Sequence, residues 1–236
     1  MKLSPISSIS PNAAILPIPR KDARELNLVL VWNEDKELVL IDAGLPGQSK
    51  LIAQAIADTG FRIEELTHII LTHQDLDHVG SVKDLMKFAP GLKVIAHEEE
   101  APYIDGSKIP IKLAAQLEVY DTLTDKQKSG VDKWKSIYEA NPIPVSESVK
   151  DKQILNLCGG IEVVHTPGHT PGHIALYLME SRVMVCGDAA NIENGTLTGS
   201  NPIYTHDMKQ ADESLEKIKS YNVSGYITYH SGFLGV

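Results

Sequence analysis

Short apolar runs separated by polar breaks recur along the chain, and their lengths predict strands alternating with helices. Residues 26–32 and 37–41 are rich in Val and Leu and flank the polar Asn33-Glu34-Asp35-Lys36, which predicts a hairpin. The period then changes. Over 48–59, Leu51, Ile52, Ala55 and Ile56 share one helical face, and Gly60 ends the pattern. A short strand is expected at 67–71. A helix is expected over 78–89, with Val79, Val82, Leu85 and Met86 inward and Pro90-Gly91 as its stop. Another strand follows at 93–96.

The stretch 97–147 differs in character. It carries many charges and little strand pattern, with helical periodicity at 113–120 and 131–138, and it ends in Asn141-Pro142-Ile143-Pro144. It reads as a helical insertion or lid within one domain spanning 1–236. Strands resume at 153–157, 161–165, 174–178 and 182–186. A final helix starts at Asp207, which is placed to cap it with Gln210 at the reciprocal position, and it buries Ala211, Leu215 and Ile218. A last strand occupies 225–229. Val39-Leu40-Ile41-Asp42-Ala43-Gly44 is echoed faintly by Met184-Val185-Cys186-Gly187-Asp188-Ala189. The echo suggests two β-rich halves packed face to face with helices outside, a mixed α/β (α+β) class.

Composition narrows the function. With 236 residues, 42% hydrophobic and 22% charged, the chain can bury a sizeable core. A net charge of −9 and the lack of any Lys/Arg cluster argue against nucleic acid as a partner. No apolar run approaches the roughly 20 residues that span a bilayer. The start, MKLSPISSIS, lacks the continuous apolar core of a signal peptide, so a cytoplasmic protein is expected. Two cysteines, Cys158 and Cys186, fit a reducing compartment. Cys186 lies in an apolar run and reads as a small buried hydrophobe.

The chemistry concentrates in Thr72-His73-Gln74-Asp75-Leu76-Asp77-His78, between a predicted strand and a predicted helix. His73, Asp75 and Asp77 alternate and share a side of an extended loop, and His78 follows at once. Imidazole with carboxylate suits zinc, manganese or iron. Taken singly, Asp77 is equally a helix N-cap and His73 a partly buried histidine. Together, four ligand types in so short a span favour a metal. In His165-Thr166-Pro167-Gly168-His169-Thr170-Pro171-Gly172-His173, stiff Pro-Gly turns are suited to aiming an imidazole. Asp188 and His230 each follow a predicted core strand, where sites on strand scaffolds tend to sit. His68, His97 and His206 have ordinary structural readings. His165 and His173 are closer to the candidate site and read as supports or substrate contacts. Tyr103, Tyr120, Trp134 and Tyr138 read mainly as packing residues, with one or two available to line a pocket.

These segments resemble the metallo-β-lactamase superfamily, whose signature is His-x-His-x-Asp-His, then a His in a Pro-Gly turn, an Asp and a C-terminal His. The order matches from about Ala13 to His230, and the 165–173 stretch is similar to the glyoxalase II-like branch. The resemblance implies a four-layer αβ/βα sandwich with metals at one edge. It implies that His73 and His169 bind a first metal, Asp77, His78 and His230 a second, and that Asp188 bridges them. Asp42 would brace the ligand loop. Asp75 stands where the family has a second histidine: it either ligates in that place or turns away. The implied function is a hydrolase of esters, thioesters or lactones using two divalent ions, zinc foremost, with manganese or iron as alternatives, on a small-molecule substrate. Asp77 would also handle protons. An iron oxidoreductase resembling persulfide dioxygenases, or a metal binder without turnover, are the competing expectations. Neither a membrane nor nucleic acid is expected as a partner.

Overall fold

The structure, a computed structural model, describes residues 3–35 and 37–236; Met1, Lys2 and Lys36, the last in the first predicted turn, lie outside the described residues. Seven strands follow one another in a mixed sheet: β1 (Ser7–Ser10), β2 (Ala13–Pro19), β3 (Glu25–Trp32), β4 (Leu38–Ile41), β5 (His68–Ile70), β6 (Lys93–His97) and β7 (Glu147–Val149). β1 to β4 are antiparallel neighbours, whereas β4 to β7 run parallel. Parallel neighbours need long crossovers. Here these carry α1 (Ser49–Asp58), then α2 (Leu76–Val79) and α3 (Val82–Phe88), then α4 (Ala101–Ile104), α5 (Ile111–Glu118) and α6 (Asp125–Ala140).

The second sheet holds β8 (Ile154–Leu155), β9 (Ile161–His165), β10 (Ile174–Leu178), β11 (Val183–Val185), β14 (Gly225–Thr228) and β15 (Gly232–Gly235). Between β11 and β14, which pair in parallel, come the hairpin β12 (Ala190–Glu193) and β13 (Thr196–Gly199) and the helix α7 (Met208–Lys219).

Strands with both faces covered read as continuous apolar runs, and three cores explain the pattern here. Val29, Ile41, Ile70 and Ile95 of the first sheet meet Val163, Ile174, Leu176 and Val185 of the second. On the first sheet's outer face, Leu28, Leu40 and Ile69 pack with Ile52 and Ile56 of α1 and Val82 and Leu85 of α3. On the second sheet's outer face, Val164 and Met184 pack with Leu215 and Ile218 of α7. The result is the expected four-layer sandwich. Cys186 is fully buried in the third core, as its apolar run implied.

Three local features depart from the sequence pattern. The helix expected over 78–89 breaks into α2 and α3 at Gly80-Ser81. Gly80 N–H donates to Gly44 O at 2.9 Å and Ser81 N–H to Ala43 O at 3.2 Å, so both leave the helical ladder to fix the 43–45 loop. A Cβ on Gly80 would lie 2.3 Å from Pro46 Cδ, so only glycine allows this approach. β2 escaped the pattern because of Pro17 and Pro19. Both lie past the end of β1, whose register stops at Ile15, so the strand has a free edge there. The β12–β13 hairpin turns on Asn194-Gly195, both at positive φ (51° and 74°), the signature of a tight primed turn. Asp207 caps α7 as expected, its carboxylate accepting from Gln210 N–H at 3.0 Å.

Candidate metal centre

Every chemistry-bearing segment leaves the C-terminal end of a strand on one edge of the sandwich. Asp42 ends β4, the 72–78 loop follows β5, Asp188 follows β11, His230 follows β14, and the 166–173 turn joins β9 to β10. Parallel pairing of β4 with β5 and of β11 with β14 makes these ends coincide.

Asp42 is the buried brace. It sits at φ 61°, a conformation few non-glycine residues adopt. Its carboxylate accepts from Thr72 N–H (2.9 Å), from the Thr72 hydroxyl (2.9 Å to Oδ2) and from His78 Nδ1 (2.9 Å). The Thr72 proton is thereby committed to Asp42, so Thr72 Oγ1 accepts from His73 Nδ1–H at 3.0 Å. His169 follows the same logic. Thr205 Oγ1 donates to Asn201 O and Ser200 Oγ donates to Thr205 Oγ1, leaving Ser200 Oγ to accept from His169 Nδ1–H at 3.1 Å. All three imidazoles therefore keep their protons on Nδ1 and turn a bare Nε2 to the centre, the arrangement metal-ligating histidines need.

The atoms facing that centre lie close together. Asp75 Oδ2 is 3.3 Å from His73 Nε2 and 3.1 Å from His169 Nε2, so Asp75 faces inward. Asp188 Oδ1 is 3.4 Å from His78 Nε2 and 3.3 Å from His230 Nε2, and its Oδ2 is 3.5 Å from His169 Nε2. Asp77 Oδ2 lies 3.6 Å from His230 Nε2. Three groups have donor atoms mutually within 4.8 Å: His73-Asp75-His169, His73-His78-Asp188 and Asp77-His78-His230. His73 Nε2, His78 Nε2 and Asp188 Oδ1 are buried without a hydrogen-bond partner. Orphaned buried acceptors converging on one point are costly unless a cation satisfies them, so the residues fit a metal. Asp75 occupies the N-cap position of α2 without a side-chain cap bond, and Asp77 falls in the first turn; neither carboxylate is spent on capping.

His173 is different. Asp188 N–H donates to its Nε2 at 3.0 Å and its Nδ1–H donates to Thr166 Oγ1 at 2.8 Å, so no nitrogen is free. Burial and the neighbouring His73 hold its pKa well below the usual imidazole range. It supports the Asp188 backbone. His97, Glu99 and His165 form a further donor group. The two rings stack at 4.3 Å with an interplanar angle of 10°, so their in-plane lone pairs lie in nearly parallel planes and do not meet on one ion.

The family-model comparison matches the Metallo-beta-lactamase superfamily over residues 23–230. The chain belongs to that superfamily. Among its relatives, "Probable metallo-hydrolase YflN" of Bacillus subtilis is 30% identical over 84% of this chain and 76% of its own length. "Hydroxyacylglutathione hydrolase GloC" of Haemophilus influenzae is 28% identical over 75% and 71%, respectively. The crystal structure of the metallo-beta-lactamase family protein TTHA1429 of Thermus thermophilus superposes with a TM-score of 0.75 at 23% identity, covering 97% of this chain and 76% of that one. The protein is thus a metal-dependent hydrolase of the metallo-beta-lactamase superfamily. Among the described residues, no helix is long and apolar enough to cross a membrane.

Several supports of this metallo-beta-lactamase edge went unread in the sequence. Glu100 is buried, and its carboxylate accepts from Gln74 N–H, Gln74 Nε2 and Gly172 N–H, each at 2.9 Å, tying the ligand loop to the Pro-Gly turn. Tyr229 O–H donates to Asp77 O at 2.6 Å and its ring lies 3.9 Å from that of His78. Lys112, at the start of α5, reaches Asp75 and His169. Only Lys112 had a possible signal: a carboxylate in place of a neutral ligand calls for an extra positive charge nearby.

Proposed function

We propose that this hydrolase cleaves ester, thioester or lactone bonds of small molecules on the floor of a cleft of about 690 Å³ lined by Arg20, Leu76, Trp134, Ile137, Tyr204 and His230. The observation that carries the reading is the convergence of three bare imidazole nitrogens with Asp75, Asp77 and Asp188 on adjoining donor sets of that floor. The donors form two sets each able to hold an ion, His73, Asp75 and His169 in one and Asp77, His78 and His230 in the other, and Asp188 has an oxygen toward each. The donors suit zinc first, and the carboxylate share also suits manganese or iron. A bound divalent ion supplies Lewis acidity and lowers the pKa of water toward 7.

The chain's own groups do the rest. Asp77, with Arg20 Nη1 3.8 Å from its Oδ2, faces the cleft and takes the proton of the attacking water, then returns it to the leaving group. Leu76 and Ile137 line both this cleft and an adjoining apolar cavity of about 100 Å³ whose walls include Leu113, Leu117 and Tyr138. The cavity suits the apolar part of an acyl substrate. On this reading residues 97–147 are a lid carried by a single domain, and the two buried free thiols favour a cytoplasmic setting. The relatives named hydroxyacylglutathione hydrolase and ACP thioesterase support the thioester arm.

The test is a panel of p-nitrophenyl esters, acyl thioesters, lactones and bis-p-nitrophenyl phosphate, run with zinc and with manganese. Turnover of a carbonyl substrate that a chelator abolishes is expected. Turnover of the phosphodiester alone, or none on protein shown to hold metal, overturns the reading.

A further inference from the structure

Resting on the metal-hydrolase reading above, we propose that the ammonium of Lys112 takes the place of the first cation, so that the centre works with one divalent ion beside a built-in lysine. Lys112 Nζ contacts Asp75 Oδ2 directly and lies 3.0 Å from His169 Nε2. These are two of the donors a first ion depends on. An ammonium carries only donors, and both partners are acceptors toward it. The His169 lone pair is turned to Lys112 because Ser200 holds the opposite ring nitrogen's proton.

The lysine is held there by the fold. Ile111 N–H donates to Gln74 Oε1 at 2.9 Å, fixing the start of α5 onto the ligand loop one residue before Lys112. Gln74 is in turn clamped by Glu100, and its carbonyl accepts from Tyr138 O–H at 3.2 Å. The Lys112 and Asp75 side chains are only 24% and 15% exposed, so this pair is partly withdrawn from water.

Charge points the same way. Asp75 adds a negative charge that a histidine would not, and Lys112 adds the matching positive one. Asp75, Asp77 and Asp188 are then balanced by one ammonium and one divalent ion. A second divalent ion between Asp75 and His169 would sit against the ammonium, a like-charge contact that this partly dry site screens poorly. His73 is not left without a role. Its Nε2 also groups with His78 and Asp188, within reach of the remaining ion.

The experiment counts metal. The full chain is loaded with excess zinc, freed of loosely held ions by gel filtration, and its zinc per chain is measured by elemental analysis, alongside Lys112→Ala and a Lys112→Arg variant that keeps the charge. One zinc in the wild type and in Lys112→Arg, rising to two in Lys112→Ala, is expected. Two zincs in the wild type overturn the proposal while leaving the hydrolase reading intact. One zinc in both the wild type and Lys112→Ala overturns the role of Lys112. No zinc in the wild type, with none retained from manganese or iron loading, overturns the metal reading and this inference with it. Circular dichroism of each variant confirms that the count is made on folded protein.

Discussion

The floor and the wall of the cleft are built on different rules. The floor comes from strand ends, where hydrogen bonds to neighbours below fix four of the donors: Asp42 and Thr72 under His73 and His78, Ser200 behind His169, Tyr229 under Asp77. The wall comes from α5 and α6, and these helices bury little. α5 buries only Leu113 and α6 only Val131. Their docking on the floor runs through a few polar clamps, two on Gln74 and one from Lys112 to Asp75 and His169. A rigid floor preserves chemistry, while a lightly held wall leaves substrate choice adjustable.

Changes in the floor should therefore cost the most. Asp188→Ala removes the carboxylate that lies near His78, His169 and His230 together. Losing several kcal/mol of transition-state stabilisation corresponds to a drop of about 10³-fold or more in kcat/KM, to be read in the carbonyl-substrate assay. Glu100→Ala strands Gln74 N–H and Gly172 N–H in the interior. A loss of about 3 kcal/mol in unfolding free energy is expected from chemical denaturation, since each buried donor left unsatisfied costs roughly 1–3 kcal/mol. A loss below about 1 kcal/mol would mean that floor and turn are held by other contacts.

The same division explains what could be read from sequence. The floor was legible because strand runs have a plain signature and because His73, Asp75, Asp77, His78, His169, Asp188 and His230 each stand just past one or inside a stiff turn. The geometry brings all seven to one edge and turns Asp75 inward. His173 differs from His169 only in what surrounds it, which no spacing reveals: a backbone N–H of Asp188 consumes its second nitrogen. The helix break at Gly80 depended on carbonyls of residues 43 and 44, distant in sequence. The wall was least legible. Its weak periodicity reflects its slight burial, and Lys112 and Glu100 act through partners 37 and 26 residues away.

A finer test separates the brace from the donors it aims. Asp42→Asn keeps the side chain's shape and tolerates φ 61°. It replaces a carboxylate that accepts from His78 Nδ1–H with an amide whose NH2 end cannot. Because bracing partners tune ligands without touching the ion, metal affinity should fall by about 10–100-fold, measured by competition with a chromogenic chelator. The fold should survive.

The smallest effect should come from the wall. Tyr138→Phe deletes one hydroxyl, the donor to Gln74 O, and leaves the ring in the apolar cavity beside the cleft. A single neutral hydrogen bond contributes about 1 kcal/mol net, so global stability should move by that much at most. The informative readout is kinetic. If the wall only positions substrate, KM for long-chain acyl substrates rises a few-fold while kcat with a short ester stays within about twofold, the pattern of lost uniform binding. If instead kcat falls for short and long substrates alike, loosening the wall has disturbed Gln74 and the neighbouring Asp75, and the two regions are one mechanical unit. The contrast between a fixed floor and an adjustable wall would then hold for their architecture and fail for their function.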